Sequence, residues 1–453
     1  MISTSTMHMR SGSAIVDITP PLGSKIEGYF EERIARDVLD ELHAKSLILD
    51  DGETKIAIVV CDLVGASRRY LDRAKDLVQG RCGIPPRNVL ISCTHTHTGP
   101  TVDEAYGELL AQKVADCVQM ANNRLVEAEV GCEREEEPKP LGNRRFFMKD
   151  GTVCTNPGSL SPNIVGPAGP IDPEVGVLCV REPQGRTIAL LVNYGMHYAG
   201  LDPTGKGEDM YAISADYFGL FSQMVQRMRG EEFVAMLANG ACGDVITYDA
   251  MTPHKGVNTF LGHAERVAAL VAARAIWAWN QMEFHRSLRL SAAMEELTIP
   301  RRMPRKEEVE FARRLMSGEA APRNMTQYTL KYFFGPRMEE FMSAPRELRT
   351  WVQVLAIGDL VAIVGLPDEI FVEHGLRIKG ASPFKHTFVI ELANDGWPNI
   401  GYVPTAKAFQ EAGPLELTGS YETTIGASAL VPEAGDMMVE SAIRMLRDLH
   451  GSA

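Results

Sequence analysis

Two histidines stand at the end of an apolar run, where residues 89–97 predict a buried strand. Side chains alternate along a strand, so His95 and His97 are expected to share one face with Cys93. Imidazoles at a strand end can bind a metal or carry a proton, because open α/β sheets place their ligand sites there. The less favoured alternative is two core histidines satisfied by hydrogen bonds, and the rest of the chain has to decide between the two.

Two more groups with this chemistry follow other apolar strands. His197 comes shortly after one such strand, and Glu369 comes shortly after another. Asp368 is expected to cap a helix over residues 367–379, which leaves Glu369 as the carboxylate free for a site. Histidines and a carboxylate at several strand ends favour a shared site over isolated structural roles.

Two irregular stretches could contact a ligand. Residues 143–174 lack regular periodicity, and a long ordered loop of this kind often binds a ligand, so Arg144 could address a substrate. An ordinary surface loop explains the same stretch as well. The turn at residues 239–245 is rich in small residues, so its backbone N–H groups could approach a ligand closely. Its central residues are Cys242, Gly243 and Asp244.

The elements that must position these residues alternate between strands and helices. Apolar strand patterns and amphipathic helix patterns follow one another along most of the chain, which favours an α/β fold with mixed sheets and flanking helices. Asp62, directly after the strand 55–61, is expected to be a turn residue. Residues 1–453 are interpreted as one domain, with a charged and largely helical insertion at about 301–349.

Composition excludes several classes of function. The 453 residues are 45% hydrophobic, as expected of a globular chain, and the formal net charge of −13 disfavours nucleic acid or anionic lipid as a partner. No apolar run approaches the roughly 18 residues of a membrane span, and residues 1–12 lack a secretory signal. The eight cysteines form no CxxC pair, which indicates reduced thiols in a cytoplasmic protein. A metal here would therefore rely on histidine and carboxylate.

Several motif-based enzyme classes are also disfavoured. Residues 200–207 nearly match a phosphate-binding P-loop, but Gly207 replaces the Ser or Thr that would hold magnesium, and Glu208 and Asp209 follow instead of an apolar helix. We therefore reject nucleotide binding at this loop. The chain also lacks the HExxH of metalloproteases and the GxSxG of α/β-hydrolases.

Six segments resemble the neutral/alkaline non-lysosomal ceramidases, in that family's order. Residues 94–100 read THTHTGP, close to the family's THTHSGP, and the other segments are weaker individually. They are the end of a strand followed by a histidine at 193–197, ISAD at 213–216, GDV at 243–245, LPDE at 366–369 and GYVPT at 401–405. The resemblance implies a ceramidase-like α/β zinc hydrolase domain.

The resemblance also implies the roles of individual residues. One Zn²⁺ would be held by His95, His197, Glu369 and Tyr402, and such nitrogen and oxygen donors suit zinc. A zinc-activated water would attack the carbonyl of an N-acyl amide. His97 would stabilise the oxyanion or pass a proton to the leaving amine, and Tyr421 would face the substrate.

Three departures from the family shape the expected substrate. Cys242 stands where some members have a serine, which leaves a backbone role and, less favoured, a covalent role open for this position. The chain ends soon after the catalytic region, without the family's C-terminal immunoglobulin-like domain, and it has no obvious lipid-docking helix. We therefore expect a small or polar cytosolic amide as substrate rather than membrane ceramide.

Two alternatives remain at this point. The same metal site could serve an esterase, a lactonase or a lyase that acts on a small acid or sugar. The chain could also be a non-catalytic metal-binding protein, which a saturated metal site would indicate. A small-molecule ligand is expected in each case, and a homo-oligomer is as compatible with the sequence as a monomer.

Overall fold

Three β-sheets with helices packed on them carry the candidate site. The structure is a computed structural model, and the near P-loop at 200–207 lies, apart from Gly200, outside the residues that it describes. The predicted mixed α/β class is confirmed. The described residues are 8–29, 31–200, 208–247, 249–253, 260–323, 325–331, 335, 342–396, 400–413 and 417–451.

The first sheet has five strands and contains one parallel pair, Lys55–Cys61 with Val89–Cys93. Helices Arg68–Cys82 and Glu104–Asn123 pack their apolar side chains against it. The strands, in spatial order, are Val89–Cys93, Lys55–Cys61, His43–Asp50, Arg10–Asp17 and Val126–Glu127.

The second sheet also has five strands and one parallel pair, Thr187–Tyr194 with Val234–Asn239. Helices Asp216–Arg229 and Phe260–Trp279 contribute to its apolar cluster. The strands, in spatial order, are Val234–Asn239, Thr187–Tyr194, Glu174–Arg181, Glu129–Glu136 and Phe284–His285.

The third sheet has four strands, and its parallel pair is Val361–Gly365 with His386–Ile390. Helices Val372–Ala381 and Ala434–His450 pack on it. The strands, in spatial order, are Leu290–Pro300, Glu347–Ile357, Val361–Gly365 and His386–Ile390. Helices Lys306–Ser317 and Met325–Thr329 lie in the connection between the first two of these strands.

Short elements complete the described chain. The stretch 143–174, predicted to be irregular, contains a three-stranded sheet, because strands of three or four residues are too short to give a periodic sequence signal. Its strands are Val153–Thr155, Arg145–Met148 and Ile164–Pro167. Two-residue strands pair as Gly142–Asn143 with Val245–Ile246, Asp37–Val38 with Ala212–Ile213, Lys25–Ile26 with Arg33–Ile34, and Glu369–Ile370 with Tyr402–Val403. A further helix spans Ala406–Glu411, and 3-10 turns span Pro86–Asn88 and Glu208–Tyr211.

The three sheets meet in one central apolar cluster. Side chains from every sheet pack there, among them Leu47, Leu191 and Ile363, each fully buried. Burial of this kind stabilises a fold by roughly 25 cal/mol per Å² of apolar surface removed from water. Each sheet contains one parallel strand pair, whose two strands have their carboxyl ends at the same edge. The candidate site residues come shortly after these carboxyl ends, so the site lies where the three edges meet.

A buried ion pair supports the chain that follows the strand Lys55–Cys61. Asp62 lies in a bend, as predicted, but it is fully buried and accepts the His43 N–H at 3.0 Å. The Lys45 ammonium lies 3.3 Å from the same carboxylate oxygen. Asp62 is therefore a structural ion-pair partner as well as a bend residue.

Replacing Lys45 should be costly, because it leaves the Asp62 carboxylate buried and uncompensated. We expect Lys45→Met to lower the free energy of unfolding, measured by urea denaturation, by about 3–5 kcal/mol. The control is Lys25→Met, since the Lys25 ion pair with Glu32 is exposed and its loss should leave stability essentially unchanged. Equal losses of unfolding free energy in the two variants would show that the buried ion pair stabilises the fold no more than the exposed one.

Candidate metal centre

His95 is held by the backbone rather than by continuation of its strand. The strand ends at Cys93, and His95 has a φ of 71°, so the alternation predicted through residue 97 is wrong. The His95 N–H donates to the Leu63 carbonyl and Nδ1 donates to the Val64 carbonyl, both at 2.8 Å. A carbonyl can only accept, so Nδ1 carries the hydrogen and Nε2 is left with a free lone pair.

His197 is oriented in the same way from the second sheet. Its Nδ1 lies 3.1 Å from the Cys242 carbonyl, so Nε2 again carries the lone pair. The Nε2 atoms of His197 and His95 are 3.2 Å apart, and the Nε2 atom of His97 is 3.1 Å from that of His95. Two lone pairs at this distance repel each other unless a proton or a metal ion lies between them. The three ring nitrogens therefore form a group that could hold a metal.

Glu369 adds a carboxylate to this group from the third sheet. Its Oε2 atom lies 3.4 Å from His95 Nε2 and 3.3 Å from His197 Nε2. Glu369 is only 4% exposed, and among the described residues Oε2 has no partner of hydrogen-bond geometry. A buried oxygen without a hydrogen bond, aimed at two imidazole nitrogens, fits a cation bound by nitrogen and oxygen donors.

Tyr402 is brought to Glu369 by backbone pairing. The two residues are direct partners in the parallel pair Glu369–Ile370 with Tyr402–Val403. The Tyr402 hydroxyl interacts with both Glu369 and Arg144, and the Tyr421 ring packs edge-on against the Tyr402 ring at 5.3 Å. The structure thus brings together every residue that the sequence predicted as a metal ligand.

Arg144 lies inside the site, with its charge already paired. It donates to Glu422 at 2.7 Å and to the Gly243 carbonyl at 2.7 Å, and its Nη1 atom is 3.3 Å from His197 Nε2. The guanidinium also lies over the Tyr402 ring, 5.1 Å from its centroid. Arg144 therefore organises the ring and carboxylate around it rather than standing free on a surface loop.

The turn at 239–245 supports the site through close backbone packing. The Cys242 N–H is donated to Glu391 and the Gly243 N–H to the Ile370 carbonyl, so neither is left for a ligand. A Cβ atom on Gly243 would lie 2.5 Å from the Glu369 carbonyl oxygen, which explains why glycine stands there.

Asp244 caps the helix that the sequence assigned to Asp368. That helix begins at Val372 rather than at residue 367, and the Val372 N–H donates to Asp244 at 2.9 Å. Asp368 instead has a φ of 52° and accepts the Ile400 N–H at 2.9 Å. The predicted cap was wrong because the capping carboxylate comes from a turn that is distant in sequence.

The segment 213–216 ties the two histidine loops together. The Thr96 and Thr98 hydroxyls donate to the Ser214 carbonyl at 2.7 and 2.8 Å, next to His97. Asp216, with a φ of 54°, accepts the Gly200 N–H at 2.9 Å in the loop after His197. The segment therefore fixes the two loops relative to each other.

Burial and mutual charge set the protonation of the cluster. Burial lowers the pKa of His95, but Glu369 and Glu391 outweigh it and the pKa is raised overall. Burial, Arg144 and His95 lower the pKa of His197 to about 3, and burial with the two other imidazoles lowers the pKa of His97. Burial raises the pKa of Glu369, but His95 and His197 reverse the effect and keep it ionised.

Three residues that surround His97 were not predicted from the sequence. The Tyr198 ring stacks on His97 with centroids 3.8 Å apart, and its hydroxyl is 3.3 Å from that of Tyr29. Arg33, 2% exposed, donates to the His97 carbonyl at 2.6 Å. Adjacency to His197 is the one signal that could have identified Tyr198, whereas Tyr29 and Arg33 reach the site only through tertiary folding.

Glu391 was also not predicted as a site residue, although, like His197, it stands at the end of an apolar strand. It directly follows the apolar strand His386–Ile390 and is fully buried. Burial raises its pKa to about 8, against the opposing effects of His95 and the hydrogen bonds from Cys242. An acidic residue directly after an apolar strand is the same sequence signal that identified His197.

The comparisons with known proteins concern the fold. No protein-family model and no curated protein matches the sequence. The crystal structure of neutral ceramidase from Pseudomonas aeruginosa matches with a TM-score of 0.74 and 18% identity, over 98% of this chain and 75% of that chain. A ceramidase complexed with C2 matches with a TM-score of 0.71 and 16% identity, over 98% and 76% of the two chains. The ceramidase-like fold predicted from the motifs is confirmed.

Among the described residues, no helix is both long enough and apolar enough to cross a membrane.

The close approach of Gly243 to Glu369 gives a direct test of the site's packing. We expect Gly243→Ala to lower the free energy of unfolding by about 1–3 kcal/mol, because the added methyl overlaps the Glu369 carbonyl. Urea denaturation measures this loss. The matched control is Gly80→Ala on the exposed side of the helix Arg68–Cys82, where the space is open and alanine should raise stability by up to about 1 kcal/mol. A Gly243→Ala protein as stable as its parent would refute this packing.

Proposed function

We propose that the protein is a zinc-dependent hydrolase that cleaves an N-acyl amide bond. The observation that carries this proposal is the convergence of three imidazole Nε2 atoms and the Glu369 carboxylate. The ceramidase-like fold supports it, since two solved structures that share the fold are ceramidases. His95, His197, Glu369 and Tyr402 are the assigned ligands of one zinc ion.

The different environments of the three histidines support separate roles. His95 and His197 each donate Nδ1–H to a backbone carbonyl, the arrangement that usually fixes a metal-binding imidazole. His97 has no partner for Nδ1 among the described residues, and at 9% exposure it is the least buried of the three. Because no carbonyl fixes its tautomer, His97 can take up a proton on one nitrogen and release one from the other. We assign it the proton transfer to the leaving amine.

The remaining side chains bind and orient the substrate. Bound zinc would supply a Lewis acid that polarises the amide carbonyl and lowers the pKa of water to about 7. Burial raises the pKa of Tyr421, so its hydroxyl stays protonated and can donate to the negative oxygen that develops on the carbonyl. Arg144, held by Glu422, keeps Tyr402 and His197 in place.

The surroundings of the cluster favour a small or polar amide. The hydroxyls of Tyr29 and Tyr198, together with Arg144, place polar groups beside the histidines. All eight cysteines are free, which fits a reducing compartment such as the cytoplasm. The substrate class and the amide bond are tested together by supplying the zinc-loaded protein with short and long N-acyl amides and with matched esters. Turnover of esters or lactones without any amide would replace the amidase assignment by an esterase.

Removal of His95 should abolish the metal site. We expect the wild-type protein to bind one zinc ion per chain, and His95→Ala to bind almost none and to lose amide hydrolysis. Metal analysis after dialysis gives the zinc content. The control is His386→Ala, which removes another buried histidine at the far end of the strand His386–Ile390 and should keep the zinc. Zinc retained at wild-type level in His95→Ala would eliminate the assignment.

Substitution of His97 should separate chemistry from metal binding. In His97→Gln we expect zinc content to stay at the wild-type level while kcat falls about 10²–10⁴-fold, the usual contribution of a general acid or base. Zinc analysis and initial rates on the best amide substrate give the two quantities. Loss of zinc in this variant would instead make His97 a ligand.

A further inference from the structure

Glu391 contacts the backbone beside two of the proposed zinc ligands. Its side chain is completely buried, and the residue follows the strand His386–Ile390 in the third sheet. The nearest groups belong to the turn after Val234–Asn239 and to the segment after Glu369. The sequence resemblance assigned this residue no role, and the catalytic scheme above does not use it.

One carboxylate oxygen of Glu391 links the two ligand-bearing segments. Oε2 accepts the Cys242 N–H at 3.0 Å and the Ile370 N–H at 3.1 Å. The carbonyl of Cys242 is the group that accepts Nδ1–H of His197, and Ile370 directly follows Glu369. A single oxygen atom therefore fixes the orientation of one histidine and of the carboxylate opposite it.

The other oxygen accounts for the cysteine in the turn. Glu391 Oε1 lies 3.0 Å from Cys242 Sγ and 3.4 Å from Asn239 Nδ2. Glu391 thus contacts four hydrogen-bond donors: the Cys242 N–H, the Ile370 N–H, the Cys242 thiol and the Asn239 amide. A carboxylate can accept from all four, so each donor has a partner. Because a carboxylate oxygen can only accept, the Cys242 thiol at this distance is the donor to Glu391. A thiol committed in this way is a poor nucleophile.

We infer that Glu391 is a positioning residue for the metal centre, which holds His197 and Glu369 in the geometry that binds zinc. This inference rests on the proposed zinc site. Cys242 serves as a hydrogen-bond donor to Glu391, and its thiol takes no covalent part in the reaction. Outer partners of this kind typically contribute 10–100-fold to metal affinity.

The test is the zinc affinity of Glu391→Gln, measured by competition with a chromophoric chelator. Glutamine places an amide NH₂ against groups that are donors themselves, so we expect the zinc Kd to rise about 10–100-fold. The matched control is Glu129→Gln, because Glu129 is also a buried acid, held by Arg181 and Arg286 at the other end of its sheet. The control should keep the wild-type Kd, which separates positioning of the metal ligands from general loss of stability. An unchanged zinc Kd in Glu391→Gln would overturn the inference.

Substitutions of Cys242 test the second half of the inference. Cys242→Ala removes the thiol donor to Glu391 and should raise the zinc Kd, and Cys242→Ser, which restores a donor, should bring the Kd back toward the wild-type value. A kcat lost in both variants at wild-type zinc Kd would instead restore a chemical role for the thiol. If Glu391→Gln does not fold, Glu391→Asp provides the same test, since the shorter acid keeps the charge but cannot reach both N–H groups. Wild-type zinc affinity in Glu391→Asp would equally refute the role of Glu391.

The outcomes also separate this inference from the proposed function. A wild-type protein that binds no zinc overturns both. A wild-type protein that binds zinc and hydrolyses amides, with a Glu391→Gln variant of equal zinc affinity, overturns only the role of Glu391.

Discussion

The structure depends on one electrostatic requirement, the meeting of three imidazole lone pairs and a buried carboxylate. His95 Nε2 lies 3.1 Å from His97 Nε2, 3.2 Å from His197 Nε2 and 3.4 Å from Glu369 Oε2, and this oxygen is 3.3 Å from His197 Nε2. Groups of this kind are stable at such distances only around positive charge. The fold holds them there because each of the three sheets ends a parallel strand pair at the same place. The central apolar cluster between the sheets is what keeps those ends together.

Backbone strain is concentrated at the same place. His95, Asp216, Asp368, Leu392 and Asn394 all have positive φ, and all lie in segments that border the site. Such conformations cost roughly 1–3 kcal/mol each in residues other than glycine, so the surrounding contacts must hold them. The contacts are visible: the Leu63 and Val64 carbonyls hold His95, and the Ile400 N–H holds Asp368. The strained residues thus direct side chains inward where regular strand geometry would not.

The sequence predicted site residues that follow a long apolar strand. It did not predict residues whose position depends on a tertiary contact. Strand ends identified His95, His197 and Glu369, and the family resemblance added Tyr402. Strand alternation failed at His95 because a left-handed residue breaks the period, and capping failed at Asp368 because Asp244 arrives from a distant turn. Arg33 and Tyr29 belong to short segments without periodicity, so nothing local could place them beside His97.

The number of converging donors sets the cluster apart from an ordinary buried ion pair. Arg144 and Glu422 neutralise each other at 2.7 Å, and the pKa values of His97 and His197 are lowered, which keeps these rings neutral. Glu369 is the ionised acid that faces the rings, and His95 alone has a raised pKa and would bind a proton where no cation is present. A proton on His95 can bridge to one neighbour only, whereas a metal ion can bind several ring nitrogens and the Glu369 oxygen at once. The convergence of these donors, rather than a count of acids, is therefore what makes the cluster suitable for a metal ion.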